Sequence, residues 1–172
     1  MVIQKTLVLI KPDAVERGLV GKVISRFEDR GLRLAGMKLL IASKELAMSH
    51  YGDFVERYTE RLGREKAQSV MDEMVGFLTS GPIIALAVEG VNACPVVRKI
   101  VGATYPDEAA TGTIRGDYAH ISQAYANKIG ITVKNLVHAS GSPEEAEVEL
   151  GLWFKPEELF DYEPVHAKHT VK

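Results

Sequence analysis

The sequence predicts an α+β sandwich, an antiparallel sheet covered on one side by helices. Apolar and β-branched runs at 5–10, 32–42, 83–88 and 131–139 alternate with segments whose apolar residues recur at helical spacing. Turn chemistry stands at the joints, as Lys11-Pro12-Asp13, Gly31, Ser80-Gly81-Pro82 and Ser140-Gly141-Ser142-Pro143. The order strand then helix occurs twice, and no closer internal repeat is present.

The first strand, KTLVLI at 5–10, stops at Lys11-Pro12-Asp13. Gly18 and Gly21 open a helix over 22–30, in which Val23, Ile24 and Phe27 share a face and Gly31 ends it. A second strand is predicted over 32–42. From Ser43, with Leu46 three residues on, to about Phe77, the Glu, Arg, Lys, Ala and Met content predicts two helices broken near Gly63. IIALAV at 83–88 has the composition of a fully buried strand, and Asn92 to Val101 follows as a helix with Pro95 in its first turn. Residues 103–118 hold Pro106, Gly112 and Gly116 without an apolar period, which predicts a long loop of the kind that carries function. A helix near 121–128, a last strand ITVKNLVHA at 131–139, and a helix from Pro143 to about Glu149 complete the series.

A chain of 172 residues fits one domain, which at this size buries roughly 70% of the surface its unfolded form exposes. With 46% hydrophobic and 26% charged residues, disorder is excluded as the default state. The net charge of -2 supplies neither a basic face for duplex nucleic acid nor a polybasic membrane anchor, so an anionic ligand must be met by local cations. Cys94 is the single cysteine, which excludes an internal disulfide and a cysteine-built zinc site and fits a reducing cytoplasm. The apolar runs are too short for a signal core or a bilayer span, so a soluble cytoplasmic protein is expected.

Neither G-x-x-x-x-G-K-[ST] nor G-x-G-x-x-G is present, and Gly18-Leu19-Val20-Gly21-Lys22 is better read as a helix start than as a phosphate cradle. His138 stands at the end of a β-type run, where catalytic side chains project, yet position alone fits a hydrogen-bonded core histidine as well. Lys11 at a strand end, Arg98 on a helix and Arg115 in the long loop bring three cations from separate elements, a set able to clamp phosphates. Singly, each arginine reads as a surface charge. His166 and His169 in the tail lack further metal ligands, and a frayed basic tail is expected there.

The text of the chain resembles the nucleoside diphosphate kinase family. The resemblance rests on Lys11-Pro12-Asp13-Ala14-Val15, Arg17-Gly18-Leu19-Val20-Gly21, His50-Tyr51, Ser80-Gly81-Pro82, Gly112-Thr113-Ile114-Arg115-Gly116-Asp117, Asn135-Leu136-Val137-His138-Ala139-Ser140 and Gly151-Leu152-Trp153-Phe154 with Pro156-Glu157-Glu158-Leu159. These blocks run in family order from residue 5 to about 162. The resemblance implies a ferredoxin-like βαββαβ fold and Mg2+-dependent exchange of a γ-phosphate between ATP or other nucleoside triphosphates and diphosphates. It implies a covalent phosphohistidine at His138, oriented by Ser140 and Glu149. Lys11, Tyr51, Arg98, Thr104 and Arg115 would hold phosphates, and Lys11 and Asn135 would meet the ribose hydroxyls. Mg2+ would be carried by the nucleotide phosphates without a direct protein ligand. A homohexamer, or a tetramer, is the implied assembly.

The residue types suit that chemistry. A neutral imidazole is a good nucleophile near pH 7, and a carboxylate on one ring nitrogen fixes the tautomer that frees the other. The chain departs from the family pattern by insertions near 57–70 and 118–133 and by an extension at 163–172. The first leaves the base-stacking position open between Val70 and Tyr58. Val133, Ala139 and Gly141 differ from residues frequent around the family's histidine. The insertions are expected to thicken subunit contacts or shield the cleft. The alternative is a nucleotide- or nucleic-acid-binding module on the same sheet without turnover, of which an RNA-recognition domain would need exposed aromatics on the central strands. Those strands are Val, Leu and Ile.

Overall fold

The computed structural model of the chain describes residues 3–171; Met1, Val2 and Lys172, the outermost residues of the expected 1–172 domain, lie outside the described residues. In chain order the elements are β1 (Ile3–Ile10), α1 (Pro12–Glu16), α2 (Val20–Glu28), β2 (Arg33–Leu40), α3 (Lys44–His50), α4 (Phe54–Leu62), α5 (Arg64–Leu78) and β3 (Ile83–Val91). Then come α6 (Ala93–Val101), α7 (Ile114–Tyr118), α8 (Gln123–Ile129), β4 (Val137–Ala139), α9 (Pro143–Trp153) and α10 (Ala167–Thr170). The sheet order is β2-β3-β1-β4, and all three pairings are antiparallel. With α2 between β1 and β2 and α6 between β3 and β4, this is the ferredoxin-like βαββαβ arrangement.

Helices cover both faces of the sheet, where the sequence predicted one. Leu7 and Leu9 of β1 pack with Met71, Val75, Leu150 and Trp153 from α5 and α9, whereas Val8 and Ile10 pack with Val23, Phe27, Val97 and Val101 from α2 and α6. The cause is legible in the run itself, since a strand apolar at every position must bury both its sides. The doubly covered sheet also leaves no open central face on which bases could stack.

Local signals hold the helix starts. Ser43, Thr113, Ser122 and Ser142 each accept a hydrogen bond from the backbone N–H three residues on, an arrangement worth about 1 kcal/mol per cap. Gly63, at φ 78°, separates α4 from α5 where the break was predicted, but a second break at Tyr51 to Asp53 makes three helices of the expected two. The 103–118 loop contains a 3-10 turn at Pro106–Glu108 and the short α7. The last strand is only three residues long, because Leu136 at φ 70° takes the chain out of extended conformation just before it. The tail is not frayed over its described part. Just before it, Phe160 N–H donates to the Ala35 carbonyl at 2.7 Å and Arg33 pairs with Asp161, and within it Ala167 of α10 is buried and Thr170 lies against Gly31.

Candidate active site

The site assembles at the end of β1 where it meets β4. Lys11 N–H donates to the Leu136 carbonyl at 2.8 Å, and Leu136 N–H donates to Asp13 Oδ2 at 3.1 Å. These two bonds grip Leu136 in the left-handed region, which costs a residue with a Cβ on the order of 1–2 kcal/mol. The reversal at Leu136 sets Asn135 toward Lys11, whose Nζ donates to Asn135 Oδ1 at 2.8 Å. Asn135 Nδ2 in turn donates to the Thr104 carbonyl at 2.9 Å, so β1, the loop after α6 and β4 are joined through one amide.

His138 follows three residues later. Its Nε2 lies 2.8 Å from Glu149 Oε1, and Ser140 Oγ donates to the other carboxylate oxygen at 2.6 Å. Leu7 N–H donates to Ser140 Oγ at 3.2 Å, which anchors the serine to the central strand. Ser140 is fully buried and Glu149 is 5% exposed, whereas the His138 side chain keeps 21% of its surface. A carboxylate at Nε2 selects the Nε2–H tautomer, and Nδ1 is left with its lone pair. Burial lowers the His138 pKa to about 3, with Lys11, Arg115 and Arg98 adding to the effect against Glu145, so the ring is neutral at physiological pH. Burial raises the Glu149 pKa, opposed by His50, by the Ser140 hydrogen bond and by Arg57.

Among the three cations expected from the sequence, the structure gives distinct surroundings. Lys11 is pulled down to about 8, first by burial and then by Arg115, with Asp13 opposing. Arg115 is buried and donates to four backbone carbonyls: Gly102 at 3.1 Å, Ala103 at 3.0 Å, Asn135 at 3.2 Å and Val137 at 2.7 Å. A guanidinium has five N–H donors, so one remains for a ligand. Burial, with Arg98 beside it, lowers the Arg115 pKa to about 10. Arg98 is exposed on α6, near Gly141 of the turn after β4. Thr104 is exposed and enters the network through its carbonyl. Tyr51 ends α3 half-buried, its ring 4.7 Å from that of His50, and burial raises its phenol pKa.

The motif His50-Tyr51 was singled out in the sequence, but no role was read for His50. The fold puts it against His138: the two imidazole centroids are 4.5 Å apart and edge-to-face, and His50 Nδ1 is 3.4 Å from Glu149 Oε1. Trp153 Nε1–H donates to that same Nδ1 at 3.3 Å. Phe77, which carries no motif in the sequence, also comes to the site, its ring centroid 5.9 Å from Lys11 Nζ. Of the two base-stacking positions left open, Tyr58 stacks on Phe54 at 4.5 Å within α4, and Val70 is half-buried on α5.

Fold and site together define a ferredoxin-like α+β protein that holds a neutral, carboxylate-oriented imidazole near a buried arginine and a half-buried lysine. The sequence profile of the nucleoside diphosphate kinase family matches residues 4–159. The chain is 44% identical over 160 residues to a nucleoside diphosphate kinase of Pyrococcus furiosus, covering 93% of this chain and 88% of the relative. It is 42% identical over 164 residues to that of Borreliella burgdorferi, covering 94% and 93%. Among solved structures, a transition-state mimic of the Borrelia burgdorferi nucleoside-diphosphate kinase with bound vanadate and ADP superposes with a TM-score of 0.90 at 38% identity, covering 98% of this chain and 96% of that one. A Halobacterium salinarum nucleoside diphosphate kinase in complex with CDP gives 0.81 at 34% identity, covering 98% and 99%. The chain belongs to the nucleoside diphosphate kinase family.

Proposed function

We propose that the protein transfers the γ-phosphate of a nucleoside triphosphate to a nucleoside diphosphate by a two-step exchange through His138. The observation that carries this reading is the carboxylate of Glu149 on Nε2 of a neutral imidazole, which leaves Nδ1 its lone pair on a side chain that keeps 21% of its surface. Nδ1 attacks the γ-phosphorus, the N–P bond forms, and the bond from that phosphorus to the β,γ-bridging oxygen breaks, releasing the diphosphate. The Nε2–H stays on the ring throughout. Glu149 therefore faces an imidazole that gains positive charge as phosphorus bonds, and it stabilises the transition state more than the free site. A second diphosphate reverses the same step.

Lys11, Arg98, Tyr51, Thr104 and the one free Arg115 donor bind phosphate oxygens in this reading, and Lys11 and Asn135 also meet the ribose hydroxyls. The pair Lys11–Asn135, 2.8 Å apart, is suited to that shared duty. Mg2+ is the divalent ion we assign. It prefers oxygen ligands, and the one metal-capable group among the described residues offers two imidazole nitrogens and one carboxylate. The ion thus belongs on the nucleotide phosphates, where it neutralises charge. Oligomerisation to a hexamer, or a tetramer, is supported by edge strand β2, on which Met37 is 58% and Leu39 65% exposed. The insertions near 57–70 and 118–133 are assigned to subunit contacts or cleft shielding, and α8, with Tyr125 and Ile129 exposed, carries part of the second. Cys94, buried and unpaired, suits a reducing cytoplasm.

Incubation with γ-labelled ATP and Mg2+ without acceptor tests the mechanism. The expected product is labelled protein that survives alkali, loses label in acid, and discharges to any added nucleoside diphosphate. A stable label in His138→Ala overturns the assignment of the nucleophile.

A further inference from the structure

Three ligand atoms converge behind the nucleophile. One nitrogen from each of His50 and His138 and one oxygen of Glu149 lie within 4.8 Å of one another. The sides that meet at Glu149 Oε1 are 2.8 Å to His138 Nε2 and 3.4 Å to His50 Nδ1. A cation seated among three such atoms stands roughly 2 Å from each after small side-chain rotations, the bond length zinc takes with imidazole nitrogen and carboxylate oxygen.

The hydrogen bonding gives an independent pointer. Because Trp153 Nε1–H donates to His50 Nδ1, that nitrogen carries a lone pair, and it faces the carboxylate oxygen with no proton between them. The ring's proton then sits on Nε2, a buried atom without a hydrogen-bond partner. That unpartnered N–H lies on the ring edge away from the cluster; what faces the cluster is Nδ1, on a side chain 1% exposed, opposed at 3.4 Å by a carboxylate oxygen. A cation between Nδ1 and Oε1 resolves the opposed acceptors.

We propose that His50, His138 and Glu149 form a site for a divalent transition metal of the zinc, cobalt or copper type, and that its occupation shuts off the nucleophile. Two imidazoles and one carboxylate suit those ions, whereas Mg2+ prefers oxygen donors alone. Three protein ligands leave one position of a tetrahedral zinc-type site free. On binding, the metal takes the Nε2 lone pair of His138, the Nε2 proton leaves to solvent, and Trp153 gives up its bond to His50. Nδ1 stays uncoordinated, but a dication draws density from the ring where a single proton shared with a carboxylate did before, so its attack on phosphorus slows. Metal binding stands apart from the phosphotransfer reading; the shut-off rests on it.

Titration of the full chain with Co2+, without nucleotide, reads the site through its visible d–d absorption. One Co2+ per chain and one proton released per ion are expected, with Zn2+ abolishing the bands by displacement. His50→Gln and Glu149→Gln, each checked for an intact fold by circular dichroism, are expected to weaken binding at least on the order of tenfold, the scale of losing even an outer partner. Cys94→Ser and the double variant His166→Gln/His169→Gln are expected to bind as the parent does. Absent bands, bands unchanged in both His50→Gln and Glu149→Gln, or bands lost with the tail histidines overturn the site. Saturating Zn2+ with excess Mg2+ is then expected to slow protein labelling by γ-labelled ATP. Unchanged labelling of a metal-loaded chain overturns the shut-off and leaves the site. No labelling in metal-free protein counts against the phosphotransfer reading instead.

Discussion

Nε2 of His138 and Oε1 of Glu149 are 2.8 Å apart, and this contact decides which edge of the imidazole is available for chemistry. The carboxylate is itself fixed by Ser140, which is tied to Leu7 of the central strand. Ring orientation is thereby referred to a central strand of the sheet, and in the proposed reaction a nucleophile held this way spends little entropy on reaching its attack geometry.

Glu149→Gln keeps shape and one hydrogen bond but removes the charge opposite the ring. Formation of the phosphohistidine is expected to slow by about 10–100-fold, the range for a metal-bound histidine that loses its carboxylate partner, taken here as the scale. Nucleotide affinity is expected to change little, since Glu149 is buried behind the ring. Rapid-quench labelling beside equilibrium binding separates the two; a loss confined to affinity contradicts the orienting role.

Ser140→Ala strands both the Leu7 amide and one oxygen of a buried carboxylate. The cost is expected at about 1–3 kcal/mol. Urea denaturation of the two proteins at neutral pH measures it, and an unchanged midpoint would show that water replaces the hydroxyl.

Arg115→Lys replaces a fork that reaches four carbonyls with a single ammonium. Loss of about 2–4 kcal/mol is expected from the unmet buried acceptors, which for a chain of this size lowers the melting midpoint by roughly 4–16 °C. Calorimetry checks this; a variant of parental stability that merely binds nucleotide weakly would mean that the side chain serves phosphate and not the loop.

Lys11 titrates at about 8, below its usual 10.5, so its charge is present below that pH and lost above it. Affinity for nucleotide is expected to fall as pH rises through 8, and binding near that pH to take up protons, because an anionic ligand restores the cation's pKa. Calorimetry in buffers of different ionisation enthalpy reads the uptake. Affinity that rises through the same window contradicts the placement of Lys11 on phosphate.

His50 and His138 are both lowered to about 3, in each case first by burial. The unfolded chain therefore binds more protons between pH 6.5 and 3, and the stability present above 6.5 is lost as pH falls through that window. Each ring contributes a slope of at most about 1.4 kcal/mol per pH unit. Glu149, whose pKa is raised, works in the opposite sense, so the comparison with His50→Gln isolates the ring. A shallower acid limb in that variant, by denaturant titration from pH 7 to 4, is the expected result; an identical limb would place the titrating charge elsewhere.

Several features belong to the sequence by itself. The apolar runs at 5–10 and 83–88 form the two central strands, Gly63 breaks a helix where its positive φ demands it, and Ser43 caps the helix it precedes. These are short-range effects of side-chain volume, backbone freedom and a hydroxyl three residues from an amide. The histidine within β4 and the lysine directly after β1 were legible for the same reason, as polar residues at or next to the end of apolar runs. Only the tertiary structure decided which imidazole nitrogen is free, that four donors of Arg115 are committed to backbone, that Leu136 turns left-handed under the grip of Asp13 and Lys11, and that His50 lies against His138. Each depends on the direction of a bond between residues that are remote in the chain, as Lys11 and Asn135 are at a separation of 124. Residue type carries charge and volume along the sequence, but hydrogen-bond direction exists only once the backbone is placed.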